Sequence, residues 1–192
     1  LAAFGLAVAV AAGGASTGVA GIGSGTTASS ANSAGSRGQA RVNDRNSQAV
    51  QARLVAQGVR INARATDDSD NCVEHSHGQV QDYLRANPCV ALHRSLFELR
   101  DRNGDVVLIA VAWVDMGDEA TAREFHRLVD GSGTGNIVEL SRERGRYRSV
   151  RFTGDFYASN RDGTVVVNAQ AQPVARGWAG VALTAVVNDA VR

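Results

Sequence analysis

The sequence predicts an α+β fold: a two-layer sandwich, with an antiparallel sheet built from two β-β-α units behind a leading helix. Three observations lead there. Nine of the ten aromatic residues fall between Tyr83 and Trp178, so the core lies in the C-terminal two thirds of the chain. Two pairs of apolar runs are each joined by an Asn-Gly or Asp-Gly turn, the strongest short hairpin signal. Each pair is followed by apolar residues at helical spacing.

The elements follow in order. Ser76-x-x-Gln79 reads as a capping box ahead of Val80, Tyr83 and Leu84, and Pro88 stops that helix. Residues 92–99 and 106–114 read as strands around the turn Arg102-Asn103-Gly104-Asp105. Asp118 caps a second helix that places Ala122, Phe125, Leu128 and Val129 on one face. Residues 150–158 and 165–171 form the second strand pair around Asn160-Arg161-Asp162-Gly163, and a last helix buries Trp178, Val181, Ala182, Ala185 and Val186. Setting Phe97 on Phe156, an offset of 59, aligns Gly104 with Gly163, Val106-Val107 with Val165-Val166, Ala110 with Ala169 and Ala112 with Ala171 without a gap. The two hairpins therefore read as a repeat whose helices share one face of the sheet.

Upstream the composition changes twice. Residues 1–23 carry no charge and are mostly Ala, Gly and Val; the chain begins at Leu1 and reads as a fragment or processed form. Two readings fit this segment, a single transmembrane signal anchor or the apolar region of a signal peptide. Residues 24–66 form the expected flexible basic linker. Up to Gln48 they are Ser, Thr, Gly, Asn, Ala and Arg with almost nothing to bury. Val50, Leu54 and Val55 suit a short amphipathic helix, and residues 59–65 alternate like a strand. The domain proper is expected over 67–192.

Charge excludes some classes. Twenty basic residues, all Arg, face nineteen acids, too balanced for a nucleic-acid binder. The first 66 residues carry about +5 and the remainder about −4. A basic tether beside an apolar segment suits the surface of a membrane.

Three features qualify as candidate sites. Cys72 and Cys89 flank the first helix, and behind an export segment this pairing favours a disulfide. Zinc with His75, His77 or His93 is the alternative, at a spacing unlike the usual zinc patterns. Asp130, Ser132 and Thr134 take the first, third and fifth places of a calcium loop, with Gly135 sixth and Ile137 eighth. Its twelfth place is Ser141 where a bidentate Glu is required, so the loop reads as a positive-φ turn and only a weak metal candidate. Arg142, Arg144, Arg146 and Arg148 recur every second residue with Arg151 beyond. On an extended strand the first four present one row of guanidinium forks to an anionic envelope component or partner protein.

Catalytic motifs are missing. There is no G-x-S-x-G, no H-E-x-x-H and no free Cys paired with His, so no catalytic residue, cofactor or enzyme activity is expected. The stretch from Cys72 through Tyr83-Leu84 to Asn87-Pro88-Cys89, with Leu92-His93-Arg94, Gly133 to Asn136 and the run Arg151 to Ser159, resembles a family of membrane-anchored actinobacterial proteins of uncharacterised activity. That resemblance covers about residues 67–192. It implies a single-pass protein of the cell membrane with an extracytoplasmic C-terminal domain. The expected function is a membrane-tethered binding or interaction module of the cell envelope. An accessory or structural subunit of a membrane complex is the alternative, ahead of an enzyme with an unrecognised site.

Overall fold

The computed structural model describes residues 45–175 and 177–192. A helix over 45–56 (α1) leads into β1 (Arg60–Ser69), α2 (Gly78–Ala86), β2 (Cys89–Arg100), β3 (Val106–Met116), α3 (Glu119–Val129), the single turn α4 (Leu140–Glu143), β4 (Phe156–Asp162), β5 (Val165–Pro173) and α5 (Leu183–Ala190). The five strands form one antiparallel sheet in the order β1-β2-β3-β5-β4. The α+β class and the antiparallel sheet are thus as the sequence predicts.

The layering differs. Alternate residues of a strand face opposite sides, and both sides of this sheet are covered. Phe97, Leu99, Val107, Ile109, Val111, Val167, Ala169 and Ala171 pack with Val50 and Leu54 of α1 and with Leu183, Val186 and Val187 of α5. On the other side Leu92, Ala112, Val114, Met116 and Val166 pack with Val80 and Leu84 of α2 and with Ala122, Phe125 and Val129 of α3. Strand β3 is buried on both faces, which is why 106–114 is almost continuously apolar. The expected two-layer sandwich with one clad face is therefore corrected to a sheet with helices on both.

The same geometry overturns the repeat. Arg100 pairs with Val106 across a five-residue loop (101–105), whereas Asp162 pairs with Val165 across Gly163 and Thr164. The loops differ by three residues, an odd shift, so aligned residues after the turn face opposite ways. Ala112 lies against α2 and α3, while its aligned partner Ala171 lies on the α5 side.

The expected boundary at 66/67 cuts through β1, which pairs with β2 from Arg60 to Ser69. Val50 and Leu54 are fully buried, so 45–66 belongs to the folded unit and is not linker. At the C-terminus, Ala182 and Ala185 are exposed and α5 buries Leu183, Val186, Val187 and Ala190 instead. Residues 1–44, including the expected anchor and the first half of the linker, lie outside the described residues. Among the described residues no helix is long and apolar enough to cross a membrane.

Cys72 and Cys89 form a disulfide, with Cα atoms 6.1 Å apart and a sequence separation of 17. It staples α2 to the start of β2. Closing a loop of this size constrains the unfolded chain by about 3 kcal/mol. The Cys72→Ser, Cys89→Ser double variant is expected to lose that amount in urea denaturation; an unchanged midpoint would show that the bridge adds nothing to stability.

Candidate functional site

The first turn of α2 carries no side-chain cap. Its N-cap is His77, and Ser76 Oγ turns away to donate to the Val73 carbonyl, so the expected capping box does not form. The loop 131–137 does that work instead. Val80 N–H donates to the Thr134 carbonyl at 3.1 Å, His77 N–H to the Asn136 carbonyl at 3.0 Å, and Val138 N–H to the His75 carbonyl at 2.7 Å. These bonds satisfy backbone groups that a helix start otherwise leaves open. They require two backbones in contact: Gly78 (φ +68°) meets Gly135 (φ +95°), and a Cβ on Gly135 would collide with the His77 carbonyl.

Docked this way, the loop forms one wall of a cleft of about 350 Å³, with residues 152–154 opposite and Gln170 of β5, Tyr157 of β4 and Glu139 within. Burial pushes the Glu139 carboxyl above its ordinary 4.5, and Gln170 Nε2 lies 3.5 Å from it. Tyr157 donates to Asp130 Oδ1 at 3.2 Å, and burial together with that carboxylate pushes its phenol strongly up. Ser159 Oγ donates to the same Asp130 oxygen. His126 Nε2 lies 2.8 Å from Ser159 Oγ, and since that hydroxyl spends its proton on Asp130, Nε2 is the donor. A chain of polar groups thus runs from α3 to the cleft wall.

The calcium-loop residues are corrected by the same contacts. The Thr134 hydroxyl lies 2.7 Å from the carbonyls of both Leu128 and Gly131, closing the end of α3, and Asp130 is held by Tyr157 and Ser159. Ser132 is exposed on the cleft rim, and Ser141, at the twelfth place, is fully buried. Among the described residues no group of three or more His, Cys, Asp or Glu is placed to hold a metal ion.

Nor do the alternate arginines form a row. Leu140–Glu143 is a helical turn and Gly145 adopts φ +84°, so 142–148 is not extended. Arg146 makes a two-oxygen pair with Glu98 at 2.6 Å each, and Arg144 pairs with Asp67 at 3.1 Å and donates to the Thr66 carbonyl at 2.7 Å. Arg142, Arg148 and Arg151 remain exposed, with Arg148 Nε 3.4 Å from the Arg142 carbonyl. Two of the five candidates are therefore structural pins.

Beside Arg144, on the same Asp67, sits an arginine that the sequence reading did not single out as a site residue. Arg94 of β2 is 2% exposed. It donates to both Glu143 oxygens (2.7 and 2.8 Å), to Asp67 (2.6 Å) and to the Val138 carbonyl (3.0 Å), tying α4 onto β1 and β2. Arg94, aided by His75 at 2.9 Å, holds the Glu143 carboxyl at about 2 against an ordinary 4.5. Because the folded value is depressed, this contribution is complete above about pH 4.5 and is lost as the pH falls toward 2. Acid unfolding followed by circular dichroism should show it: Glu143→Gln is expected to flatten the stability loss between those values, and a parallel curve would remove Glu143 from the account.

A second chain, buried from His93 inward, carries nucleophile-type residues. Asp68 Oδ1 lies 2.8 Å from His93 Nδ1, His93 Nε2 lies 3.2 Å from Ser95 Oγ, and Ser95 meets Ser47 of α1 at 2.9 Å. The order is that of a catalytic triad, but His93 and Ser95 are 2% and 1% exposed beneath α1. The cavity touching Ser95, about 10 Å³, has room for a single water. A His-x-Ser pattern on a strand was legible in the sequence; the register Asp68↔His93 that completes it was not.

Fold and cleft define a class: a disulfide-stapled α+β domain with a polar cleft walled by a glycine loop. No family model, curated protein or solved structure matches the chain.

Proposed function

We propose that the chain is a membrane-tethered, extracytoplasmic binding module of the cell envelope, taking its ligand in the cleft beside the 130–136 loop. The observation that carries the reading is the convergence of Glu139, Gln170, Asp130 and Tyr157, from separate segments, on one cavity of about 350 Å³. Few polar groups at fixed positions in a concave site is the general form of ligand recognition. Binding is favoured over turnover because Asp130 is already shared between Tyr157 and Ser159. The disulfide supports an oxidising compartment. The uncharged segment 1–23, the basic stretch after it and the resemblance to membrane-anchored actinobacterial proteins support the tether.

A photo-crosslinker at the exposed Ser132, in intact cells, is expected to give one discrete adduct that is absent when the crosslinker sits at Ser149, an exposed control position. Absence of any adduct from position 132 would remove the cleft from the reading. Labelling of a Ser149→Cys variant, at an exposed position, by a membrane-impermeant thiol reagent tests the compartment separately; protection in intact cells and labelling only after lysis would overturn the extracytoplasmic placement.

A further inference from the structure

We infer that a second site, sharing no residue with the cleft, binds a small oxyanion group of the phosphate or carboxylate class. It is a cavity of about 370 Å³ where β1 begins, β2 ends and the 179–181 segment passes, and Arg60, Arg100 and Arg102 line it together. Arg60 and Arg100 are direct cross-strand partners. Like charges placed opposite each other on a sheet are destabilising unless something lies between them.

The neighbouring acids neutralise these arginines only in part, with Asp101 in the cavity and Glu98 at 3.5 Å from Arg100. Asp101 also lines the cavity, but its carboxylate accepts backbone N–H bonds from Asn103 (2.8 Å), Asp105 (2.9 Å) and Ala179 (3.2 Å). Glu98 is bound by Arg146 and by Asn62 at 2.7 Å, and reaches Arg100 only at 3.5 Å. Arg60 donates to the Asp101 carbonyl, an uncharged acceptor, and Arg100 to the Gly104 carbonyl at 3.3 Å. Arg100 Nε is buried with no hydrogen-bond partner. Arg102 is exposed on the loop and makes no hydrogen bond or ion pair among the described residues. Three guanidinium groups against one carboxylate leave a net positive concavity. An oxygen anion supplies the missing acceptors, because guanidinium forks match phosphate and carboxylate geometry.

Isothermal titration of the full chain with inorganic phosphate and, separately, with succinate tests this at low ionic strength. Wild-type protein is expected to bind at least one of the two. Arg102→Gln, which removes no structural contact, should weaken that binding about tenfold while leaving the melting temperature unchanged. Arg100→Lys keeps the charge but loses the fork and should fall between the two. Which probe binds separates a phosphate from a carboxylate source. Binding of neither probe by the wild type, or equal binding by wild type and Arg102→Gln, overturns the site. Neither outcome bears on the cleft, whose crosslink from Ser132 is read independently.

Discussion

Replacing Arg94 with Met lowers folding stability by about 3 kcal/mol, measured by urea denaturation at neutral pH. Removing one partner of a buried ion pair leaves the other charge uncompensated, a loss of about 3–5 kcal/mol. The lower end applies because Asp67 and Glu143 keep 26% and 34% of their side-chain surface in water. The Val138 carbonyl loses its donor with it. Adding Glu143→Gln and Asp67→Asn to Arg94→Met should recover part of the loss, since the uncompensated charges are then gone. If the triple variant is no more stable than Arg94→Met, the arginine acts through packing of its stem and not through its charge.

Gly135→Ala has an effect at least as large, about 3–4 kcal/mol, and it moves the candidate cleft as well. Two costs combine. The φ of +95° is a region that L side chains rarely adopt, which costs about 1–3 kcal/mol. The new methyl also meets the His77 carbonyl, which is backbone and cannot swing aside, and overpacking of this kind costs about 1–3 kcal/mol. Relief requires the loop to lift from α2, breaking the bonds from His77 and Val80 to Asn136 and Thr134. The crosslink from Ser132 should then weaken in step with stability. Gly133→Ala is the matched control: its φ is also positive at +79°, but nothing lies within reach of a Cβ there, so only the conformational cost remains. Equal losses from the two variants would show that the close approach to His77 is not what makes position 135 special.

The elements set by local chemistry are those legible in the sequence. Asp118 caps α3 as expected, accepting N–H bonds from Ala120 (2.8 Å) and Thr121 (3.0 Å). Ala122, Phe125 and Val129 are buried on the face that their spacing defines. Pro88 follows the end of α2, and both glycine turns join antiparallel strands. Each of these is decided within a few residues by dihedral preference, capping or helical period. The cysteine pairing was legible as well, although a nine-residue helix by itself spans about 13.5 Å; the segment ahead of α2 must fold back beside it to bring the two Cα atoms within 6.1 Å.

What only the tertiary structure decided involves partners far apart in the chain. Ser76 and Gln79 hold the residue types of a capping box, yet Thr134 supplies the acceptor from a loop more than fifty residues on. The arginines at 142–148 carry strand spacing, but Gly145 turns the chain, and Glu98 and Asp67 draw Arg146 and Arg144 from sequence separations of 48 and 77. Equally, the matching residues of the two hairpins say nothing about facing, because three extra loop residues invert one strand relative to the other. A sequence records which side chains need a partner or a face. Sheet register and loop docking, which depend on contacts across the whole chain, select the partner and the face.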